Sequence, residues 1–206
     1  IVTLILDYEA GNLASVKRAC KEVGLDAEFC ADGDQLRHAE RVIFPGVGAA
    51  GSAMRSLAHR GLDEALREVI LRGVPVLGIC LGLQVSLDHS EENDTPTLGL
   101  IPGRVRRFNL DRTDLKVPHM GWNEVVPCRP HPVLAGIDPG DEFYFVHAYY
   151  TDPKVADCVL ARTEYEHSFA SAVGYNSYIG TQFHPEKSGR VGLRLLANFA
   201  AWDGQC

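Results

Sequence analysis

Three apolar runs in the first 80 residues constrain the fold more than any other feature. They are VTLILDY (2–8), RVIFPGVG (41–48) and VPVLGI (74–79). Each run is nearly continuous rather than alternating, which is typical of strands covered on both faces. Apolar residues at helical spacing lie between the runs, at 13–23 and again at 62–70. This order predicts an α/β fold with an open, mostly parallel sheet and helices on both faces.

The second half of the chain has a different pattern of predicted elements. From about residue 103, short strand-like segments follow one another with little helical spacing between them. They predict antiparallel strands added to the sheet. Apolar residues at 191–202 predict a closing helix. Because no repeat or linker divides the chain, we expect a single domain over residues 1–206.

Composition excludes several classes of function. A net charge of -7 and a pI near 5.6 argue against nucleic-acid binding, which requires a basic face. The apolar runs are too short for a membrane helix, and the N-terminal stretch lacks a signal-peptide pattern. The six cysteines form no CxxC pair, so neither a zinc ribbon nor a redox motif is indicated. We expect free cysteines in a reducing cytoplasm, with no metal and no cofactor.

Cys80 is the one cysteine whose surroundings suggest chemistry. It stands in Gly78-Ile79-Cys80-Leu81-Gly82, which has the form of a nucleophile elbow with cysteine in place of serine. A following helix would direct its N-terminus at the sulfur and favour the thiolate. The backbone N–H of Leu81 would face the same point and could bind an oxyanion. The alternative is a small buried cysteine at the end of a glycine-rich strand.

His184 is the best candidate for a proton carrier among eight histidines. It ends the strand-like segment YIGTQF and is followed by Pro185 and Glu186. Residues i and i+2 of an extended segment point to the same side, so Glu186 can accept a hydrogen bond from one ring nitrogen while the other faces the thiol. His119 and His147 are not assigned a role by this argument.

A second glycine turn should lie beside Cys80. Pro45-Gly46-Val47-Gly48 also ends a predicted parallel strand, and carboxyl ends of parallel strands line the ligand crevice of an open α/β sheet. The peptide N–H groups of this turn could complete an oxyanion hole.

Taken in order and spacing, FPGVG, GICLGLQ and GTQFHPEKS resemble the class I (triad) glutamine amidotransferases over nearly the whole chain. Further stretches are similar to the glutaminase subunits of imidazole glycerol phosphate synthases. These stretches are LDYEAGNLASVKRA, GLIPGRVRRF, KVPHMGWNEV and YFVHAYY. Two positions depart from the pattern: Leu83 replaces a commoner Met, and Ala148 stands where Ser or Thr is expected.

The resemblance implies a role for each matching residue. Cys80 would attack the amide of L-glutamine, His184 would carry protons, and Glu186 would orient His184. Val47 and Leu81 would supply oxyanion N–H groups. Further matches are Gly46 and Gly48, which would make the turn possible, and Gln84, which would hold the substrate together with the strand after His147.

The resemblance also implies a partner. No second domain is available to consume ammonia, so we expect a heterodimer with a (β/α)8-barrel cyclase that makes imidazole glycerol phosphate and aminoimidazole carboxamide ribotide. Trp122, Tyr144 and Lys187 are candidates for the interface. The isolated subunit is expected to be nearly inactive, with the Gly46–Val47 peptide turned away until the partner binds.

Three alternatives remain open from the sequence. The chain could be the amidotransferase subunit of another pathway, such as pyridoxal phosphate or guanylate synthesis, although VPHMGWN argues against this. It could be a stand-alone cysteine hydrolase or peptidase of similar fold. It could also be a non-catalytic binding module.

Overall fold

A twelve-stranded mixed sheet organises the molecule, and its parallel half contains the three apolar runs. The computed structural model describes residues 1–206. The strands are β1 (Thr3–Leu6), β2 (Ala27–Cys30), β3 (Arg41–Phe44), β4 (Val76–Ile79), β5 (His89–Ser90), β6 (Thr95–Pro96), β7 (Gly103–Arg107), β8 (His119–Glu124), β9 (Val126–Pro127), β10 (Glu142–His147), β11 (Tyr149–Pro153), β12 (Val159–Tyr165), β13 (His167–Tyr175) and β14 (Tyr178–Thr181).

Six α-helices accompany the strands. They are α1 (Leu13–Glu22), α2 (Gly33–Leu36), α3 (Ala50–His59), α4 (Leu62–Leu71), α5 (Leu81–Gln84) and α6 (Gly189–Ala201). None of the helices has the length and apolar character needed to cross a membrane.

The strand order confirms the predicted combination of parallel and antiparallel pairing. Along the sheet the order is β2-β1-β3-β4-β14-β13-β11-β7-β5-β6, and the first five strands are parallel. Beyond β14 the pairs are antiparallel except β5–β7. β8 and β10 were expected to join the main sheet but form a separate two-stranded sheet, because the chain leaves β10 at Ala148 before β11 enters the main sheet.

Side-chain alternation in the central strands produces a core on each face of the sheet. In β1, Leu4 and Leu6 pack in a cluster with α2, α3 and α4, whereas Ile5 packs in the other cluster with α1 and α6. The apolar runs are continuous because both faces of these strands are buried. The prediction of helices on both faces is therefore confirmed.

The carboxyl ends of three neighbouring strands place the sequence motifs at one edge. Phe44 of β3 pairs with Gly78 of β4, and Ile79 of β4 pairs with Thr181 of β14. The segments that follow these strands, 45–48, 80–84 and 182–186, therefore emerge side by side.

Candidate active site

Cys80 lies between β4 and α5 in a backbone conformation that non-glycine residues seldom adopt. Its φ is 54° and its ψ is -110°. Its N–H donates to the carbonyl oxygen of Thr181 at 2.7 Å, which ties the turn to β14. A strained turn that is fixed by its neighbours is typical of a nucleophile elbow.

The glycines on either side of Cys80 are required by close packing. A Cβ on Gly78 would lie 1.9 Å from the hydroxyl oxygen of Tyr178, and one on Gly82 would lie 1.9 Å from the carbonyl oxygen of Phe44. Neither position has room for a side chain. The helix that follows Cys80, α5, has a single turn. Since a helix dipole is the sum of aligned peptides, its effect on the sulfur is smaller than that of a long helix.

His184 and Glu186 form a buried pair at the end of the β14 segment. Nδ1 of His184 lies 2.7 Å from Oε1 of Glu186, and their side chains are 2% and 5% exposed. A carboxylate only accepts hydrogen bonds, so Nδ1 carries the proton of this bond. The N–H of His184 also donates to the carbonyl oxygen of Tyr144 in β10, at 3.0 Å. The i, i+2 relationship expected from the sequence is therefore present.

Cys80 and Glu186 both act on the protonation of His184. Nε2 of His184 is buried and has no hydrogen-bond partner. Burial by itself would lower the pKa of His184, but the interactions with Cys80 and then with Glu186 outweigh it and raise this pKa to about 10. The surroundings of His184 therefore favour its charged, imidazolium form.

The two N–H groups predicted to form the oxyanion hole are already engaged. The N–H of Val47 donates to the carbonyl oxygen of Ala10 at 3.2 Å, and the N–H of Leu81 donates to that of Gly46 at 3.2 Å. The 45–48 segment thus directs a carbonyl group, not an amide, toward the N–H of Leu81. In this conformation neither donor is available to an oxyanion at Cys80.

A buried tyrosine, Tyr8, is hydrogen-bonded to the 45–48 segment. The hydroxyl of Tyr8 donates to the carbonyl oxygen of Pro45 at 2.6 Å. A Cβ on Gly46 would lie 2.1 Å from that hydroxyl oxygen, so position 46 must be glycine while Tyr8 is present. Sequence reasoning did not identify Tyr8, because its partner is 37 positions away.

A cavity of about 350 Å³ opens beside Cys80. Its lining includes Val47, Gly48, Leu81, Gln84, Glu92, His147 and Tyr149. Glu92 is its one acidic lining residue and was not identified from sequence. A larger cavity, of about 790 Å³, is lined by residues such as His131, Tyr175 and Cys206 and contains none of the candidate catalytic residues.

Gln84 is held firmly at the cavity wall. Its side-chain N–H groups donate to the carbonyl oxygen of Tyr149 at 2.9 Å and to Oε1 of Gln182 at 3.1 Å. Both protons of the amide are used, so Oε1 of Gln84 is the atom left to accept from a ligand.

His119 and His147, left without a role above, form a buried neutral pair. Nδ1 of His147 donates to the carbonyl oxygen of Tyr149 at 2.7 Å, so its Nε2 accepts from Nδ1 of His119 at 2.9 Å. Burial lowers the pKa of His119 to about 4 and that of His147 to about 3. The pair joins β8 and β10 to the cavity wall.

The β8–β10 pair presents an exposed apolar face next to this cavity. Trp122 pairs with Tyr144, their ring centroids 6.2 Å apart, and Met120 pairs with Val146. Met120 is 62% exposed and Trp122 54%. Val146 also lines the cavity, so this face borders the opening at Cys80.

Comparisons with known proteins agree with this geometry. The family model described as glutamine amidotransferase class-I matches residues 4–201. The chain is 52% identical over 200 residues to imidazole glycerol phosphate synthase subunit HisH of Desulfovibrio desulfuricans, an alignment that covers 95% of this chain and 92% of that protein. The chain belongs to the class-I glutamine amidotransferases.

Within this family the HisH proteins are similar along their full length. The HisH subunit of Chromobacterium violaceum is 47% identical over 207 residues, with 97% of each chain covered. The structure of PurLQS from Thermotoga maritima superposes with a TM-score of 0.75 at 16% identity, covering 96% of each chain. That structural similarity supports the amidotransferase fold described above, and the chain is a glutamine amidotransferase enzyme.

Proposed function

We propose that this chain hydrolyses L-glutamine at Cys80 and transfers the ammonia to a cyclase partner. Its HisH relatives are subunits of imidazole glycerol phosphate synthase, which makes the chain the glutaminase subunit of that enzyme in histidine biosynthesis. One observation supports the catalytic proposal above the others. The buried ring of His184 is hydrogen-bonded to Glu186, and Cys80 raises its pKa.

The residues supply a balanced two-step reaction. The Cys80 thiolate forms a C–S bond to the side-chain amide carbon of glutamine, the C–N bond breaks, and His184 gives its proton to the departing ammonia. Water then attacks the thioester while His184 accepts a proton, the C–S bond breaks, and glutamate leaves. Glu186 keeps the ring of His184 oriented through both steps.

Substrate recognition is assigned to the cavity wall. Oε1 of Gln84 and the carboxylate of Glu92 are acceptors suited to the α-ammonium of glutamine. The backbone at 147–149 forms the adjoining wall. Ala148 offers no side-chain hydroxyl, so any contact there is made by the main chain.

Full activity requires a change in the 45–48 segment. The Gly46–Val47 peptide must turn so that an N–H, not the Gly46 carbonyl, faces the elbow, and this frees the N–H of Leu81 as well. Preorganised N–H donors are worth roughly 10²–10³ in rate each. We infer that partner binding favours the turned peptide, with Gly46 and Gly48 permitting the rotation.

The partner is proposed to be a (β/α)8-barrel cyclase that forms a heterodimer with this chain in the cytoplasm. The proposed contact is the apolar face formed by Met120, Trp122 and Tyr144. Lys187, which follows Glu186 in the sequence, is proposed to contribute to it. The apolar face is joined to His184 by the hydrogen bond from the His184 N–H to the Tyr144 carbonyl. The whole of residues 1–206 acts as one domain in this proposal.

Glutamine hydrolysis assayed with the cyclase subunit and its nucleotide substrate tests the proposal. Wild type should release ammonia, and Cys80→Ala should release none above background. Cys158→Ala alters another buried cysteine, one that lines the larger cavity and not the cavity beside Cys80, and this matched control should retain activity. Ammonia release that does not depend on Cys80 would refute the assignment.

A further inference from the structure

The sulfur of Cys80 receives a side-chain hydrogen bond from a residue other than His184. Nε2 of Gln182 donates to Sγ at 3.7 Å, a normal distance for a bond to sulfur. Gln182 is completely buried. It lies in the segment that joins β14 to His184, so it reaches the sulfur from the same strand as the proton carrier.

The orientation of the Gln182 amide is fixed by its neighbours. Its Oε1 accepts from the side-chain N–H of Gln84, which also donates to the carbonyl oxygen of Tyr149. Because Gln84 must donate in both bonds, the oxygen of Gln182 faces Gln84 and its NH₂ group faces Cys80. The backbone N–H of Gln182 donates to the carbonyl oxygen of Ser171 at 2.9 Å, which holds the residue in place.

The backbone sources of stabilisation for a Cys80 thiolate are weak in this structure, which leaves the charge of His184 and the side-chain amide of Gln182. The N–H of Leu81 is directed to Gly46, and α5 has a single turn. A hydrogen bond donated to the charged form of a group favours that form, and it does so more strongly when the donor is shielded from water.

We propose that Gln182 is a catalytic residue that donates a hydrogen bond to the Cys80 thiolate and maintains it before glutamine binds. The wall that binds glutamine and the nucleophile are then connected, since Gln84 orients Gln182 and Gln182 holds the sulfur. The attack of this thiolate on glutamine rests on the proposed glutaminase function, but the hydrogen bond from Gln182 can be tested without glutamine.

The test is alkylation of Cys80 by iodoacetamide across a pH series, followed by mass spectrometry of the peptide that contains Cys80. The thiolate forms a C–S bond to the reagent and iodide leaves, so the rate reports the thiolate population. In Gln182→Met the donor is lost at similar volume, and the rate at neutral pH should fall roughly tenfold. The pH profile should move upward, and the rate at its alkaline plateau should be equal to or higher than in wild type, since a thiolate without a donor is more nucleophilic.

Two controls separate this role from loss of packing. Asn198→Leu removes another side-chain amide, one that donates to Val133 and Ala135, and should leave the profile unchanged. A structural effect of Gln182→Met would lower the rate by the same factor at every pH. An unchanged profile, or a uniform loss, would overturn the proposal.

A measurement on the unsubstituted residue keeps the proposal testable if Gln182→Met does not fold. The side-chain N–H resonances of Gln182 should shift as Cys80 ionises, and this shift should be absent in Cys80→Ala. A signal insensitive to Cys80 would also overturn the proposal. Glutaminase turnover of the complex is assayed separately, so failure of the glutaminase assignment would be seen in wild type while the alkylation result still decides the role of Gln182.

Discussion

The N–H of Val47 donates to the carbonyl oxygen of Ala10, 3.2 Å away, and is thereby unavailable to an oxyanion at Cys80. The N–H of Val47 is a predicted oxyanion donor, and in this structure it makes an internal hydrogen bond. The proposed nucleophile, proton carrier and orienting carboxylate lie together, while the predicted oxyanion donors are directed elsewhere. The catalytic side chains are therefore in place, but neither predicted N–H donor is free to bind an oxyanion.

The isolated chain should therefore hydrolyse glutamine slowly. Adding the cyclase and its nucleotide substrate should raise kcat by about 10² or more, because at least one oxyanion donor is gained. The measurement is ammonia release with and without these two components, at saturating glutamine. Equal rates in both conditions would show that the bonds of Val47 and Leu81 do not limit turnover.

Substitution of Gly46 should lock or distort the same segment. In Gly46→Ala the new Cβ would lie 2.1 Å from the hydroxyl oxygen of Tyr8, so the protein should lose stability and partner-stimulated activity. Tyr8→Phe removes that oxygen, and the double variant should regain part of both. Thermal unfolding and stimulated turnover of the four proteins form a double-mutant cycle. Strictly additive losses would mean that the two residues do not interact.

Truncation of Trp122 should weaken binding of the cyclase. Trp122 is exposed and meets the ring of Tyr144 edge to face, on the apolar face that borders the cavity. Aromatic residues that become buried at interfaces commonly contribute about 2 kcal/mol or more. The dissociation constant for Trp122→Ala should thus rise roughly 30-fold. Tyr175→Ala removes a partly exposed aromatic residue that lines the larger cavity and should bind as wild type does. Equal affinities for the two variants would place the interface elsewhere.

Removal of the Cys80 sulfur should lower the pKa of His184. Burial lowers this pKa, and in the wild type it is outweighed by Cys80 and then by Glu186, giving a value of about 10. In Cys80→Ala only Glu186 opposes burial. An NMR titration of the His184 ring measures the change, with Cys158→Ala as the control that should not shift it. A pKa that stays near the wild-type value would mean that the thiolate does not act on His184.

The fold could be predicted where burial leaves a continuous apolar run. β1, β3 and β4 are buried on both faces and gave that pattern directly. β2 is an edge strand with two exposed central residues, and α3 consists largely of small and polar residues, so neither has the large-residue periodicity of the other elements. The division of residues 142–153 between two sheets depends on pairing with β8 and β7, which no local pattern reports.

The candidate site divides in a similar way. Cys80, His184 and Glu186 belong to short contiguous motifs, so their chemistry could be inferred from neighbours in sequence. Tyr8 and Gln182 act through contacts 37 and 102 positions away, which require the sheet register. The direction of the Gly46–Val47 peptide was expected from the family resemblance alone, because it depends on backbone rotation at glycine, which the residue types do not specify.

Buried neutral histidines should make the protein less stable in acid. Burial lowers the pKa of His119 and His131 to about 4 and that of His147 to about 3, from 6.5. Between about pH 6.5 and 4 the unfolded chain therefore binds more protons than the folded one, so the free energy of unfolding falls as the pH falls. Each such group contributes at most about 1.4 kcal/mol per pH unit in that window.

In His131→Gln, urea unfolding should show a shallower loss of stability across this range. His59→Gln, which changes an exposed ring, should follow wild type. Parallel curves for wild type and His131→Gln would show that His131 does not contribute to the acid lability.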